Sequence, residues 1–336
     1  MNNLNLVGTP REIGFQYGKY FAEQGVNLSS MLPSGTKERK EYSESVKFLY
    51  KSDYPAILEE IEGVAQGNGC DAEALTQFLL SMYVYTAMNF CTCITGLDHR
   101  GHLLLGRNSD FLTAMQPMYS HCVIKPTSGY AFTGNTTAFV EMEDGMNEKG
   151  FAVGLTFIYS AQKHSGLNAG MIVRILLEHC ASVDEAIAML KKMKIGSSQV
   201  LTMADCTGNK AVVECSAQHI EIIQSHPILY AVNQFVSDVM KPYNPRNIDD
   251  MESGLRLKTC QKAFQHQNVL SMEYLKYVLM GKQGFLCQYD RKRGGDTVWS
   301  VIYDLNDEKI QFCDGNPSRE AYEMCIRDSF YGSDCI

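Results

Sequence analysis

The 336-residue chain contains one Trp and nine Pro, and it has no apolar run long enough to cross a bilayer. Its most apolar stretch, around Phe78-Leu79-Leu80, is interrupted by Ser and Tyr. The start, Met1-Asn2-Asn3-Leu4, lacks the basic residues and apolar core of a secretory leader. Positive charge is also scarce. The formal net charge is −8, and the one basic cluster, Arg291-Lys292-Arg293, stands beside Gly294-Gly295 and reads as a solvated loop. That excludes nucleic acid as a main partner, because phosphate binding needs a concentrated basic surface. Twelve Cys are present but no Cys-x-x-Cys, and the eight His include no His-x-x-x-His. The sequence therefore offers no metal site, no cofactor motif and no disulfide framework. Scattered cysteines of this kind fit a reducing cytoplasm in which most serve as small apolar residues.

What remains is an ordinary globular balance, 45% hydrophobic and 20% charged, with 18 Tyr and 15 Phe that favour β content. The pattern changes near residue 90. Before it, three helices are predicted. The first opens at the capping box Thr9-Pro10-Arg11-Glu12, the second spans about Asp53 to Ala65, and the third follows Asp71. From Cys91 onward the period shortens. Residues 91–97 and 102–107 read as a hairpin around Asp98-His99-Arg100-Gly101. Further strands are expected over 119–125, 137–142, 151–159, 199–204, 210–215, 219–224, 228–233, 297–305 and 309–313. Helices are expected near 168–181, 183–193, 251–265 and 271–280. The tail from Met324 to Ile336 shows no amphipathic period.

A tight hairpin brings its far ends together, so Cys91 is expected near Arg107 and Asp110. An arginine beside a thiol favours the reactive thiolate. Spacing alone leaves two readings open: a functional thiol, or an ordinary ion pair at a strand end with Cys91 as packing. Cys93 shares the strand face of Cys91 and is the rival nucleophile. A pairing of Cys91 with His99 or His102 is disfavoured, because both lie at the turn.

The run Cys91-Thr92-Cys93 … Gly106-Arg107-Asn108-Ser109-Asp110 resembles the signature of the cysteine N-terminal-nucleophile hydrolases. That group includes choloylglycine hydrolase, penicillin V acylase, acid ceramidase and the acyl-coenzyme A:6-aminopenicillanic acid acyltransferase family. Five further segments are similar to the last of these: Gly8-Thr9-Pro10 … Gly14-Phe15-Gln16-Tyr17-Gly18, Gly145-Met146-Asn147-Glu148-Lys149-Gly150, Ala231-Val232-Asn233-Gln234-Phe235, Ser253-Gly254-Leu255-Arg256, and Asp296 to Asp304 with Gly315-Asn316-Pro317. The resemblance covers about residues 5–322. It implies an α+β fold, a four-layer αββα sandwich, with residues 1–90 as a helical small subunit and 91–336 as the catalytic large subunit after self-cleavage.

It also implies roles for six positions. Cys91 would be the nucleophile, its freed α-amine the base, Arg107 the stabiliser of the sulfur centre and Asp110 the holder of the ammonium. Asn233 would donate to the oxyanion, a backbone N–H near Asn147 would be the second donor, and Arg256 would support the polar network. The implied activity is amide hydrolysis on non-peptide N-acyl substrates through a thioester. The alternatives are acyl transfer from a thioester such as acyl-CoA to an amine, and an inactive, uncleaved binding domain. Partners are then a small acyl amide or thioester and the two associated subunits, while a homo-oligomer stays open. The 90-residue lead disfavours a choloylglycine hydrolase proper, which sheds only a short leader. Two departures stand out: Phe90 where a small residue is usual, and Gln234 in place of His.

Overall fold

The computed structural model describes residues 1–32, 36–85, 90–160, 162–245 and 252–326. The chain opens with a strand that the sequence reading did not anticipate, β1 (Asn2–Gly8), whose alternating Leu4 and Leu6 are buried. Helix α1 (Pro10–Glu23) follows with the expected capping box. Next come α2 (Leu28–Met31), α3 (Lys37–Asp53), α4 (Pro55–Asn68) and α5 (Ala72–Ser81). Helix α3 was also missed. Its sequence is crowded with charge, yet Tyr42, Val46 and Tyr50 bury one face at a spacing of four. Helices α1 and α4 meet backbone to backbone. A Cβ on Gly14 would lie 2.0 Å from Glu60 O, and one on Gly18 2.1 Å from Val64 O. Gly63 and Gly67 are equally close to Arg11 O and Phe15 O. The Gly-x-x-x-Gly spacing near the N-terminus therefore has a packing cause.

The hairpin of β2 (Phe90–Leu97) and β3 (Leu103–Leu112) begins the second part. Its turn uses Gly101 at φ +81° and the Asp98 carboxylate, which accepts from Arg100 N and His102 N. Strands β4 (Ser120–Pro126), β5 (Phe132–Thr136), β6 (Asp144–Asn147) and β7 (Phe151–Ile158) form a meander. The predicted strand 137–142 is corrected here. The chain turns after β5, with Phe139 at φ +58°, so Ala138, Phe139 and Val140 are buried consecutively against the helices instead of alternating. Helices α6 (Ala169–His179) and α7 (Val183–Leu190) precede β8 (Ser198–Asp205), β9 (Lys210–Cys215), β10 (Ile220–Ile223) and β11 (Ile228–Ala231). The chain then runs through α8 (Ser253–Phe264), α9 (Met272–Leu279), β12 (Gly295–Asp304), β13 (Lys309–Cys313) and β14 (Glu323–Ile326). Strand β14 takes the first residues of the tail; the rest of it, 327–336, lies outside the described residues.

Eight strands join in the order β1-β4-β5-β6-β7-β8-β9-β10, and six in the order β11-β2-β3-β12-β13-β14. Among the strands of the described residues, β1 and β4 are the parallel pair. The sheets face each other through Leu103, Leu105, Trp299 and Val301 on one side and Met146, Ala152 and Ala204 on the other. Helices α8 and α9 cover the outer face of the six-stranded sheet through Cys260, Leu275 and Leu279. The first-segment helices with α6 and α7 cover the other sheet. The layers are thus helices, sheet, sheet, helices, the αββα arrangement expected. The first 90 residues are not purely helical, since β1 is an edge strand of the larger sheet. Among the described residues, no helix is long and apolar enough to cross a membrane.

Candidate active site

The pleat of β2 and β3 decides which side chains can meet. Along β3, Leu103, Leu105 and Arg107 point between the sheets, whereas Leu104, Gly106 and Asn108 point to the helices. A Cβ on Gly106 would touch Leu275 and Leu279, and Asn108 donates to Leu279 O. Cys91 pairs across the strands with Ser109, Phe90 with Asp110 and Cys93 with Arg107. The Arg107 side chain therefore reaches diagonally, and its Nη2 lies 2.7 Å from Cys91 Sγ.

Each polar atom of Cys91 has its own partner. The backbone N–H donates to Asn233 Oδ1 at 2.8 Å, and the carbonyl accepts from Arg256 Nη1 at 2.6 Å. Arg256 Nη2 donates to the same Asn233 oxygen at 3.0 Å, while Asn233 Nδ2 donates to Phe157 O at 2.6 Å. Two donors on the oxygen and a carbonyl on the nitrogen fix the orientation of this amide. Asn233 lies two residues past the end of β11, the neighbour of β2. Arg256 sits in the first turn of α8 and also meets Thr92 Oγ1 at 3.2 Å, on the helix side of the sheet. Asp110 occupies that side too, 4.0 Å from Arg256 Nη1, and accepts from Thr297 Oγ1 and Tyr289 Oη.

Burial pushes the Cys91 thiol up to about 12, with Arg107 pulling it down and the carboxylates of Glu143 and Asp110 acting against that pull. Burial likewise raises Asp110 to about 6, opposed by Arg256 and by the hydroxyls of Thr297 and Tyr289. Cys93 is raised further, again by burial. Its sulfur packs against β7, where a Cβ on Gly154 would come within 2.6 Å.

Asn147 is not among these groups. Its Nδ2 donates to Leu177 O and Cys180 O, and its Oδ1 accepts from Lys149 N and Phe151 N. These are the bonds of a turn anchor between the β6–β7 hairpin and the end of α6. His102 stands at the opposite end of the hairpin, 3.4 Å from Asp304. His102, Asp304 and Asp307 form the one group with metal-ligand spacing among the described residues, but Arg100 already pairs with both aspartates. The basic cluster at 291–293 is a short 3₁₀ turn in which Arg291 pairs with Asp296.

Sequence reasoning missed the counter-ions of Arg107. Its Nη1 meets Asp144 at 2.7 Å and its Nη2 meets Glu143 at 3.0 Å. Asp144 further accepts from Trp299 Nε1 and Tyr303 Oη. The signal was available: a buried arginine demands carboxylates, and Glu141-Met142-Glu143-Asp144 is an acidic run inside the strand region. An apolar pocket of about 180 Å³ adjoins the group, walled by Met31, Phe78, Met82, Phe111, Met115 and Phe139 among others. It touches the site at Phe111, next to Asp110, and at Thr137, whose hydroxyl donates to Glu143.

The family model for acyl-coenzyme A:6-aminopenicillanic acid acyl-transferase matches residues 97–319, well over half of the chain. The chain belongs to that family. The matched span of the acyl-transferase model begins after Cys91, so the site described above adds residues that the model does not reach. The chain is also similar to a mutant conjugated bile acid hydrolase from Clostridium perfringens, at 14% identity over 71% of this chain and 92% of that one, with a TM-score of 0.48. A penicillin V acylase from Agrobacterium tumefaciens is 16% identical over 66% and 82% of the two chains, with a TM-score of 0.41. An N-acylethanolamine-hydrolyzing acid amidase ortholog from Caenorhabditis elegans is 16% identical over 64% and 93%, with a TM-score of 0.47. A search of the curated proteins finds no match. The chain's family is described as one of acyl-transferases.

Proposed function

We propose that the chain is a self-processing cysteine amidase that cleaves itself between Phe90 and Cys91 and then hydrolyses N-acyl amides through a thioester. The observation that carries this reading is that the nitrogen, carbonyl and sulfur of Cys91 are each held by a different side chain, Asn233, Arg256 and Arg107. A cysteine that merely packs needs no such set. In processing, Sγ attacks the Phe90 carbonyl carbon, the peptide C–N bond breaks, the nitrogen takes a proton and a thioester forms. Water then hydrolyses the thioester, leaving a Phe90 carboxyl and a free Cys91 with thiol and amine. In turnover the amine accepts the thiol proton, sulfur attacks the substrate carbonyl, and that proton passes to the leaving amine. Asn233 Nδ2 would donate to the oxyanion, and the apolar pocket would take the acyl chain. Acyl transfer to an amine uses the same acyl-enzyme, and the family's own description favours it as the second reading.

The two segments would stay together after cleavage. Strand β1 is hydrogen-bonded to β4, and Glu60 of α4 forms a buried ion pair with Arg174 of α6, at 2.7 Å. Intact mass of purified protein tests the reading: two species split at Phe90–Cys91 are expected, with masses summing to the chain plus one water. A chain that stays whole after prolonged incubation at neutral pH overturns it.

Asp110 adds a pH test. With Arg107 and Arg256 set against Asp110, Glu143 and Asp144, the uncut site has one negative charge in excess, which the new ammonium would balance. In the uncut chain Asp110 keeps its proton up to about 6, whereas an unfolded chain loses it near ~3.9. The folded form binds more protons between these values, so stability falls as pH rises through that window. In an uncuttable Cys91→Ala background, urea unfolding at about pH 4.5 and 6.5 should show Asp110→Asn reducing this fall by about 2 kcal/mol. An identical fall with and without Asp110 would refute the assignment.

A further inference from the structure

The two carboxylates that meet Arg107 are not equivalent. Asp144 binds Nη1. Glu143 binds Nη2, the nitrogen that faces Cys91 Sγ, at 3.0 Å and 2.7 Å respectively. Glu143 is itself immobilised. Its Oε2 accepts from Ser109 Oγ at 3.0 Å and its Oε1 from Thr137 Oγ1 at 2.8 Å. Its backbone N–H donates to Asn135 O, and its carbonyl accepts from Leu155 N. Ser109 is the residue opposite Cys91 in the strand pair, so the carboxylate is pinned to the same rung as the thiol. It is 1% exposed, which leaves water no part in screening it.

We propose that Glu143 is a positioning residue for the nucleophile: it aims Nη2 of Arg107 at Cys91 Sγ, and its charge offsets the pull of that guanidinium on the sulfur. The thiol proton then leaves to the freed α-amine of the same residue instead of being lost early to solvent. The inference rests on Cys91 being the nucleophile. The groups facing Cys91 are Arg107 and Asp110 from β3, Glu143 from the turn before β6 and Arg256 from α8. Tyr83 after α5 and Cys93 on β2 face it as well. Glu143 is the carboxylate that shares a guanidinium nitrogen with the sulfur. Replacing it with Gln keeps the shape and an acceptor oxygen but leaves Arg107 Nη2 unopposed, which favours the thiolate. Replacing it with Asp keeps the charge but shortens the reach to Nη2.

The test follows alkylation of Cys91 by iodoacetamide across about pH 5 to 10, read from the mass of its peptide, in processed wild type, Glu143→Gln and Glu143→Asp. In Glu143→Gln the pH midpoint should fall by about one unit or more, a tenfold change in the thiol equilibrium. In Glu143→Asp it should stay near wild type, while kcat falls roughly tenfold or more with little change in KM, because the arginine is no longer aimed. A Gln variant with the wild-type midpoint overturns the electrostatic role, and an Asp variant with wild-type kcat overturns the aiming role. Should the Gln variant fail to fold or process, the Asp variant decides the aiming role, and Glu143→Ala, which also removes the charge and should lower the midpoint, decides the electrostatic one. Alkylation needs no substrate, so the two ideas separate. A wild-type Cys91 that never reacts refutes the nucleophile, whereas a reactive Cys91 unaffected by both changes refutes Glu143.

Discussion

Cys91→Ala should give a single uncut chain with turnover lowered by on the order of 10⁴–10⁶, the loss expected when a nucleophile is removed. Cys93→Ala should process normally and keep most activity. The two thiols lie on one strand face and both are fully buried, so accessibility does not distinguish them. Position does. Only Cys91 can carry both a thiol and a new amine, and only its N–H is bonded to Asn233. Cys93 instead fills the space that Gly154 leaves open on β7. Its truncation removes one sulfur from a packed layer and should cost about 1 kcal/mol of stability. A denaturing gel and a turnover assay on the two variants check this. Full activity in Cys91→Ala, or its loss in a folded Cys93→Ala, would reverse the assignment.

Asn233→Ala should lower kcat by roughly 10²–10³ and change KM much less, because a donor to the oxyanion strengthens only as charge develops. The structure gives this residue a second task, since its Oδ1 accepts from Cys91 N–H. Asn233→Asp separates the two. It keeps an acceptor facing Cys91 and Arg256 but removes the donor, so a loss as large as that of Ala assigns the effect to the donor. If Asp restores activity to within about threefold of wild type, Asn233 acts through the Cys91 amine alone. Processing must be verified in each variant, because the proposed self-cleavage would pass through the same kind of tetrahedral carbon.

Much of this was legible in the sequence where local chemistry governs. The capping box at Thr9 starts α1 as read, and the Ser182 hydroxyl caps α7. The hairpin register followed from Asp98 and Gly101, and it brought Cys91, Arg107 and Asp110 together. Asn233 and Arg256 were named from their motifs, and the structure places both within hydrogen-bonding reach of Cys91. What failed was tertiary. Strand β1 is a seven-residue segment that pairs with residues more than a hundred positions away, and no local pattern announces such a partner. The run at 137–142 is apolar because it lies under helices, so burial imitated a strand. The Asn147 side chain serves as a turn anchor, its oxygen accepting from Lys149 and Phe151 N–H, which leaves the backbone N–H expected near it a separate question. Glu143 and Asp144 stood in a visible acidic run, but which basic group they face is set by the packing of one sheet on the other.

Strand β1 and the Glu60–Arg174 pair would give the proposed break at Cys91 a lasting effect on how the molecule is made. An uncut chain brings these parts together within one molecule, at an effective concentration set by its own connecting segment. Cutting turns the same contacts into an association between two chains, so renaturation becomes second order and dilution begins to oppose it. On that reading the edge strand and α1–α5 would be in place because they arrived before the cut. The mature molecule would keep the shape of its precursor as a product of its history, held by a barrier to unfolding and not by the ease of folding again.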